Sequence, residues 1–289
     1  MLVREMGMVV MSALPPPGAW DLDPVVVGVA LAAAAGYAAV IGPWRARLGI
    51  IEEDRRKRVI YFAVGWLTLV LALVSPLDTL GRYYLFSAHT IQLLVITTLS
   101  APFLLLGLPE RLVELLLPLR ALREATRALL FPVIAAAAFN IIVIVWHVGP
   151  LYEQGLRDNA THDLESLSLL VAGVLTWWPL LTPLERHGRM ARPFQMLYLM
   201  LESLPLDIFG VAAIFALGPF YPTYVAAPRV IPALSASADQ ALAGALLAVP
   251  GNILDTILLS VVFFTWIGRM ERAQREHERA LYAEVDAQP

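Results

Sequence analysis

Seven apolar stretches dominate this chain of 289 residues, near positions 25–44, 59–76, 86–106, 128–147, 164–182, 194–217 and 241–267. Each is long enough to cross about 30 Å of hydrocarbon as a helix. Inside lipid there is no water to satisfy a backbone, and an open strand would leave its N–H and C=O groups unpaired. The expected class is therefore all-α: a polytopic membrane protein built as a seven-helix transmembrane bundle. Composition agrees, with 58% hydrophobic and only 16% charged residues, against about a quarter charged in soluble domains. The second stretch is the shortest, and the last is long enough to tilt or break.

Basic residues give the bundle a direction. Arg45, Arg47, Arg55, Arg56, Lys57 and Arg58 lie between spans one and two; Arg111, Arg120, Arg123 and Arg127 between three and four. Arg186, Arg189 and Arg192 separate spans five and six, and Arg269, Arg272, Arg275 and Arg279 follow span seven. These four segments hold 17 of the 21 basic residues, and Arg4, Arg82, Arg157 and Arg229 are spread over the alternate ones. The bias predicts an N-terminus outside and a C-terminus in the cytoplasm. Residues 1–24 then form an outer tail, 25–267 the membrane domain and 268–289 a charged cytoplasmic tail.

The first residues place Arg4 before a short apolar run, but Glu5 interrupts it and no small-x-small cleavage site follows. An outer tail with a proline hinge is expected there. In the C-terminal tail Glu271 and Arg275 stand four apart, as on a solvated helix. His277 in that tail, and His187 in an inner loop, are expected to be simply solvated. There is no cysteine, which excludes disulfides and thiolate metal sites. No nucleic-acid partner is expected; the first partner is the lipid bilayer.

On this topology three histidines share the outer side. His89 opens span three, His147 closes span four and His162 opens span five. Imidazole is a common metal ligand, and histidine sites without thiolates suit copper or zinc. Gln92 follows His89 by three residues and Glu165 follows His162 by three, so each pair shares a helix face and can orient an imidazole. Asp78, and the pair Asp239 and Gln240, also fall near the outer boundary, where each is compatible with ordinary interfacial solvation; Asp78 is in addition a candidate support or further ligand for the three histidines. Deeper in the spans lie Asn140, Glu202, Asp207, Asn252 and Asp255. Intramembrane carboxylates usually face a bundle interior. These five residues are expected to form a polar seam, either fixing helix packing or carrying protons or ions, with helices broken at Pro205 and Pro250-Gly251. Asn140 is two turns from His147 on one face, so the seam can extend toward the histidines.

Several stretches carry a resemblance. "SPLD" (75–78), "SAHTIQ" (87–92), "APFLLLGLP" (101–109), "WHVGPLYEQGLRDNATHDLE" (146–165), "WWPLLTP" (177–183) and "DQALAGALLAVPG" (239–251) occur in this order. The ordered set resembles the CtaG family of polytopic cytochrome c oxidase assembly factors. The resemblance implies a multi-pass protein of the bacterial plasma membrane that helps mature a copper-containing terminal oxidase, handling copper outside the membrane. Its implied partners are an oxidase subunit or a copper donor. Members also occur joined to copper-resistance membrane proteins. The family commonly has His-x-x-x-His in spans three and five, whereas here the second positions are Leu93 and Ser166. Two other classes fit the residues. One is a zinc-dependent intramembrane hydrolase of the ceramidase kind, with Ser75, Asp78 and the three histidines around a metal-bound water. The other is an ion- or proton-conducting protein using Glu202, Asp207 and Asp255.

Overall fold

The computed structural model describes residues 14–50, 55–116, 131–181 and 190–286. The first residues with Arg4, the segments holding Arg120, Arg123, Arg127, Arg186 and His187, and the start of the fourth predicted span lie outside them. Among the described residues the secondary structure is helical throughout.

The principal helices are α1 (Pro24–Ile41), α2 (Arg55–Val74), the short α3 (Pro76–Tyr83) and α4 (Phe86–Gly107), then α5 (Pro132–Trp146), α6 (Gly149–Arg157) and α7 (Asn159–Leu181). They continue as α8 (Arg192–Leu201), α9 (Leu204–Phe215), the short α10 (Pro222–Ala226) and α11 (Ala236–Asp286). Proline opens many of them, because its fixed φ and missing N–H suit a first turn. Pro24 follows Asp23, whose side chain accepts the Val25 N–H at 2.7 Å. Pro76 follows Ser75, which caps α3 in the same way. That use as a cap gives Ser75 a structural role.

Six helices or helix pairs are long and apolar enough to cross a membrane. A seventh crossing forms if α5 and α6, bent by 71° at His147–Val148, act as one broken span. The expected seven therefore includes one crossing that is not a straight helix. The sixth span is interrupted between α8 and α9 at Glu202–Ser203, with Pro205 in the first turn after the break. The expected break at Pro250 does not occur: α11 runs through it as one helix of 51 residues, so the C-terminal charged segment continues the last span. Glu271 and Arg275 pair at 3.1 Å on that segment, and His277 is exposed.

Large apolar side chains point outward along the spans, among them Val29, Ile141, Leu167, Phe215, Ile257 and Phe264. Glycines let the helices approach where they cross. A Cβ at Gly173 would meet the Thr97 backbone at 2.9 Å, one at Gly65 would meet Ser100 O at 2.9 Å, and one at Gly210 would meet Gly244 O at 2.8 Å. Such close backbone packing replaces the hydrophobic drive that is missing between helices in lipid. Between Gly65 and Gly173, α4 contains a π-helical segment, Val95–Ser100. Wider turns of this kind recur beside functional sites. The Thr97 carbonyl in it accepts from the Trp177 indole at 2.9 Å.

Candidate functional site

The three histidines converge. The rings of His89 and His147 lie 5.5 Å apart, edge to face, at the start of α4 and the end of α5. His162, on the first turn of α7, reaches Asp78 of α3 with Nε2 2.9 Å from Oδ1. Glu165 lies between the imidazoles, its carboxylate oxygens 3.6 Å from His89 Nε2 and 3.8 Å from His162 Nδ1. Both separations exceed hydrogen-bonding distance.

Local structure explains each position. Asp239 of α11 caps α4: its carboxylate accepts from Phe86 N at 2.7 Å, Ser87 N at 3.2 Å and the Ser87 hydroxyl. A carboxylate at a helix N-terminus satisfies orphan N–H groups and the helix dipole together. His147 is the C-cap of α5, and its Nδ1 lies 2.8 Å from Val143 O. A carbonyl only accepts, so Nδ1 carries the hydrogen and Nε2 keeps the lone pair. Asp158 precedes α7 and accepts from the Thr161 N–H and hydroxyl, which holds its carboxyl below the usual range. The buried Arg82 of α3 binds Leu156 O at 3.1 Å and Asn159 Oδ1 at 2.8 Å, tying the α6–α7 corner to the helix that carries Asp78.

Several expectations need correction. Gln92 shares a face with His89 but serves Asp78, donating to its Oδ1 at 2.6 Å and to Ala72 O at 3.0 Å. Asp78, Asp239 and Gln240 are buried, not solvated at an interface. Asp239 is the α4 cap, and Gln240 fixes the chain after α9, accepting from Phe220 N at 2.6 Å and donating to Ala213 O at 3.2 Å. Nor did spacing or hydropathy point to the aromatic wall around the histidines. Tyr152 packs edge-on to His89 at 5.0 Å and stacks on His147 at 5.4 Å. Its hydroxyl meets that of Tyr224 at 2.7 Å, Tyr224 donates to Gly81 O at 2.5 Å, and Tyr221 donates to His147 O at 2.8 Å. Burial pushes the Tyr224 phenol well above its ordinary pKa.

What this cluster lacks is internal satisfaction. Glu165 is 1% exposed and His89 2%, yet both carboxylate oxygens, both His89 nitrogens and His162 Nδ1 have no hydrogen-bond partner. Burying such groups unpaired costs several kcal/mol. A cation among them would remove that cost, and imidazole with carboxylate is a donor set that copper and zinc accept. In tetrahedral coordination with bonds near 2.1 Å, neighbouring donors stand about 3.4 Å apart, close to the two Glu165 separations. Among the described residues, however, no three His, Asp or Glu side chains are drawn together as a finished metal site.

The sequence profile of the cytochrome c oxidase caa3 assembly factor family (Caa3_CtaG) matches residues 35–269, which includes every residue of this cluster. The chain belongs to that family. Neither a curated protein nor a solved structure gives a significant match. In this Caa3_CtaG member the two positions where the resemblance led one to look for further histidines have other surroundings. Leu93 is buried in an apolar cluster with Ala72, Ile96 and Trp146. Ser166 is buried as well, and its neighbour Glu165 is the residue turned toward His89.

The deep polar residues form a second group. Asn140 Nδ2 donates to Glu202 O at 2.7 Å, and the Thr176 hydroxyl lies 2.8 Å from the Glu202 carboxylate. Asn252 Nδ2 donates to Asp207 Oδ1 at 3.0 Å. Glu202, Asp207 and Asp255 line a cavity of about 50 Å³ with Thr97, Thr98, Thr176 and Ser203, room for a few waters. The group is not uniformly buried, since Asn252 is exposed. Nor does it continue to the histidines. Leu93 lies between His89 and Thr97 on α4, Val143 between His147 and Asn140 on α5, and Leu169 between Glu165 and Thr176 on α7. All three belong to one buried apolar cluster.

Glu202→Gln, which preserves an acceptor for Thr176, is expected to stay within about 1 kcal/mol of wild type in detergent unfolding, and Glu202→Leu to lose about 2 kcal/mol. Equal stability of the leucine variant would show that these bonds contribute nothing to the bundle.

Proposed function

We propose that this oxidase assembly factor handles a copper ion at the cluster of His89, His147, His162 and Glu165 while the oxidase matures. Assembly of a cytochrome c oxidase is the family's role; the metal and the residues that hold it are our reading. The observation that carries it is the set of buried nitrogens and oxygens on His89, His162 and Glu165 that face one another without partners. Asp78, held by Gln92, would fix the ring of His162 and direct its Nδ1 inward, and Val143 O would do the same for Nε2 of His147. A bound ion would supply positive charge between Glu165 and the imidazoles. The aromatic wall of Phe86, Tyr152, Tyr221 and Tyr224 would keep water from it.

The charge bias of the loops supports an extracytoplasmic position for this end of the bundle, in a bacterial plasma membrane. There the site would meet a copper donor on one side of the exchange and an oxidase subunit on the other. The hydrolase reading loses support because Ser75 caps α3. The conducting reading loses support because Leu93, Val143 and Leu169 separate the acid cavity from the histidines.

Elemental analysis of purified, copper-supplemented protein tests the proposal. About one ion per chain is expected in wild type, and none in a His89→Ala, His147→Ala, His162→Ala variant that remains folded. The same metal content in both proteins would overturn it.

A further inference from the structure

Glu165 is placed differently from a supporting residue. A group that only orients a metal-bound imidazole bonds to the ring nitrogen turned away from the ion, as Asp78 does to His162. Glu165 instead directs one oxygen at His89 Nε2 and the other at His162 Nδ1, the nitrogen of His162 that Asp78 leaves free. It accepts no hydrogen bond from either. Gly155 of α6 lies behind it: a Cβ there would come within 3.1 Å of Glu165 Oε2. The carboxylate is therefore confined on one side by backbone and on the other by two imidazoles.

Charge and softness then choose the ion. Glu165 and Asp78 are two carboxylates at 1% and 2% exposure, and the nearby guanidinium of Arg82 is engaged by Leu156 O and Asn159. Imidazole nitrogen and carboxylate oxygen are borderline-to-hard donors, whereas a cuprous ion prefers thiolate and thioether. The chain has no cysteine. Among the described residues, Met190 and Met196 lie just before and within the first turns of α8, Met200 lies in its last turn and Met270 is far along α11; Met1, Met6, Met8 and Met11 lie outside the described residues.

We infer that the site selects a divalent ion, cupric or zinc, over cuprous copper, and that Glu165 is the anionic ligand responsible. The inference rests on the metal-handling reading above. Its test uses full-length protein in detergent, stripped of metal and titrated separately with Cu(II), Zn(II) and, under reductant with a chromophoric competitor, Cu(I). Wild type is expected to bind Cu(II) with nitrogen hyperfine structure in its EPR spectrum and to bind Cu(I) at least about tenfold more weakly. Glu165→Gln, checked for folding by thermal unfolding, is expected to lose about 10- to 100-fold in Cu(II) and Zn(II) affinity, on the order seen when groups around a metal are removed, with Cu(I) affinity nearly unchanged.

Tighter binding of Cu(I) than of Cu(II) by wild type would overturn the inference and leave metal handling standing; that ranking needs no variant. Undiminished Cu(II) affinity in Glu165→Gln would do the same. Binding of none of the three ions by wild type would remove the metal reading itself.

Discussion

Replacing Asp239 with alanine is expected to destabilise the bundle by roughly 3 kcal/mol and to disorder the turn that carries His89. Asp239 is fully buried on the first turns of α11 and bonds residues more than 150 positions earlier in the chain. Without it, the N–H groups of Phe86 and Ser87 and the Ser87 hydroxyl lose their acceptor at a buried helix start. An N-cap alone contributes about 1 kcal/mol; buried donors left unpaired add about 1–3 kcal/mol more. Asp239→Asn keeps an acceptor oxygen and should lose about half as much. Thermal unfolding in detergent measures the stability, and amide exchange at residues 86–90 reports the local fraying. Wild-type stability in the alanine variant would mean that the α4 start finds other acceptors.

The second large effect is expected from Gly244→Val. A Cβ at position 244 would run into the carbonyl oxygen of Gly210, and would also come within 3.1 Å of Ala213 Cβ. The obstacle is backbone, so no rotamer change can relieve it and α9 must move away from α11. Overpacking of this kind costs about 1–3 kcal/mol, occasionally more, and α9–α11 is a principal helix contact in the molecule. The valine variant should lose about 3 kcal/mol in detergent unfolding. Gly268→Val is the control: Gly268 has only the Arg272 side chain nearby, at 3.9 Å, and should tolerate the change.

Hydropathy located the spans within a few residues because lipid selects on length and apolarity, which are local properties of a sequence. Alternation of basic loops placed the three histidines on one side, and the structure does bring them together. Partners were harder to read. The spacing of His89 and Gln92 establishes only that they share a face; which residue Gln92 meets depends on α3, and it meets Asp78. Asp239 looked like a boundary acid because the donors it satisfies lie more than 150 positions away in the chain. Pro250 looked like a break, yet a proline within a long packed helix needs only to leave one carbonyl without its usual donor. Leu93 and Ser166 looked like losses from a ligand set. In three dimensions Glu165 occupies the space between the imidazoles.

One helix carries both the cap of the histidine cluster and the charged C-terminal segment. At 1.5 Å per residue the 51 residues of α11 extend about 76 Å, against about 30 Å of hydrocarbon. Its charged end is therefore the far arm of a lever whose near end grips the first turn of α4 through Asp239. One carbonyl along it lacks its usual partner. Pro250 deprives the Leu246 carbonyl of its usual N–H donor, and the residues just beyond it, Gly251, Leu254 and Asp255, line the acid cavity. A load applied near Arg272 or Arg275 would thus reach the carboxylates before it reached the imidazoles.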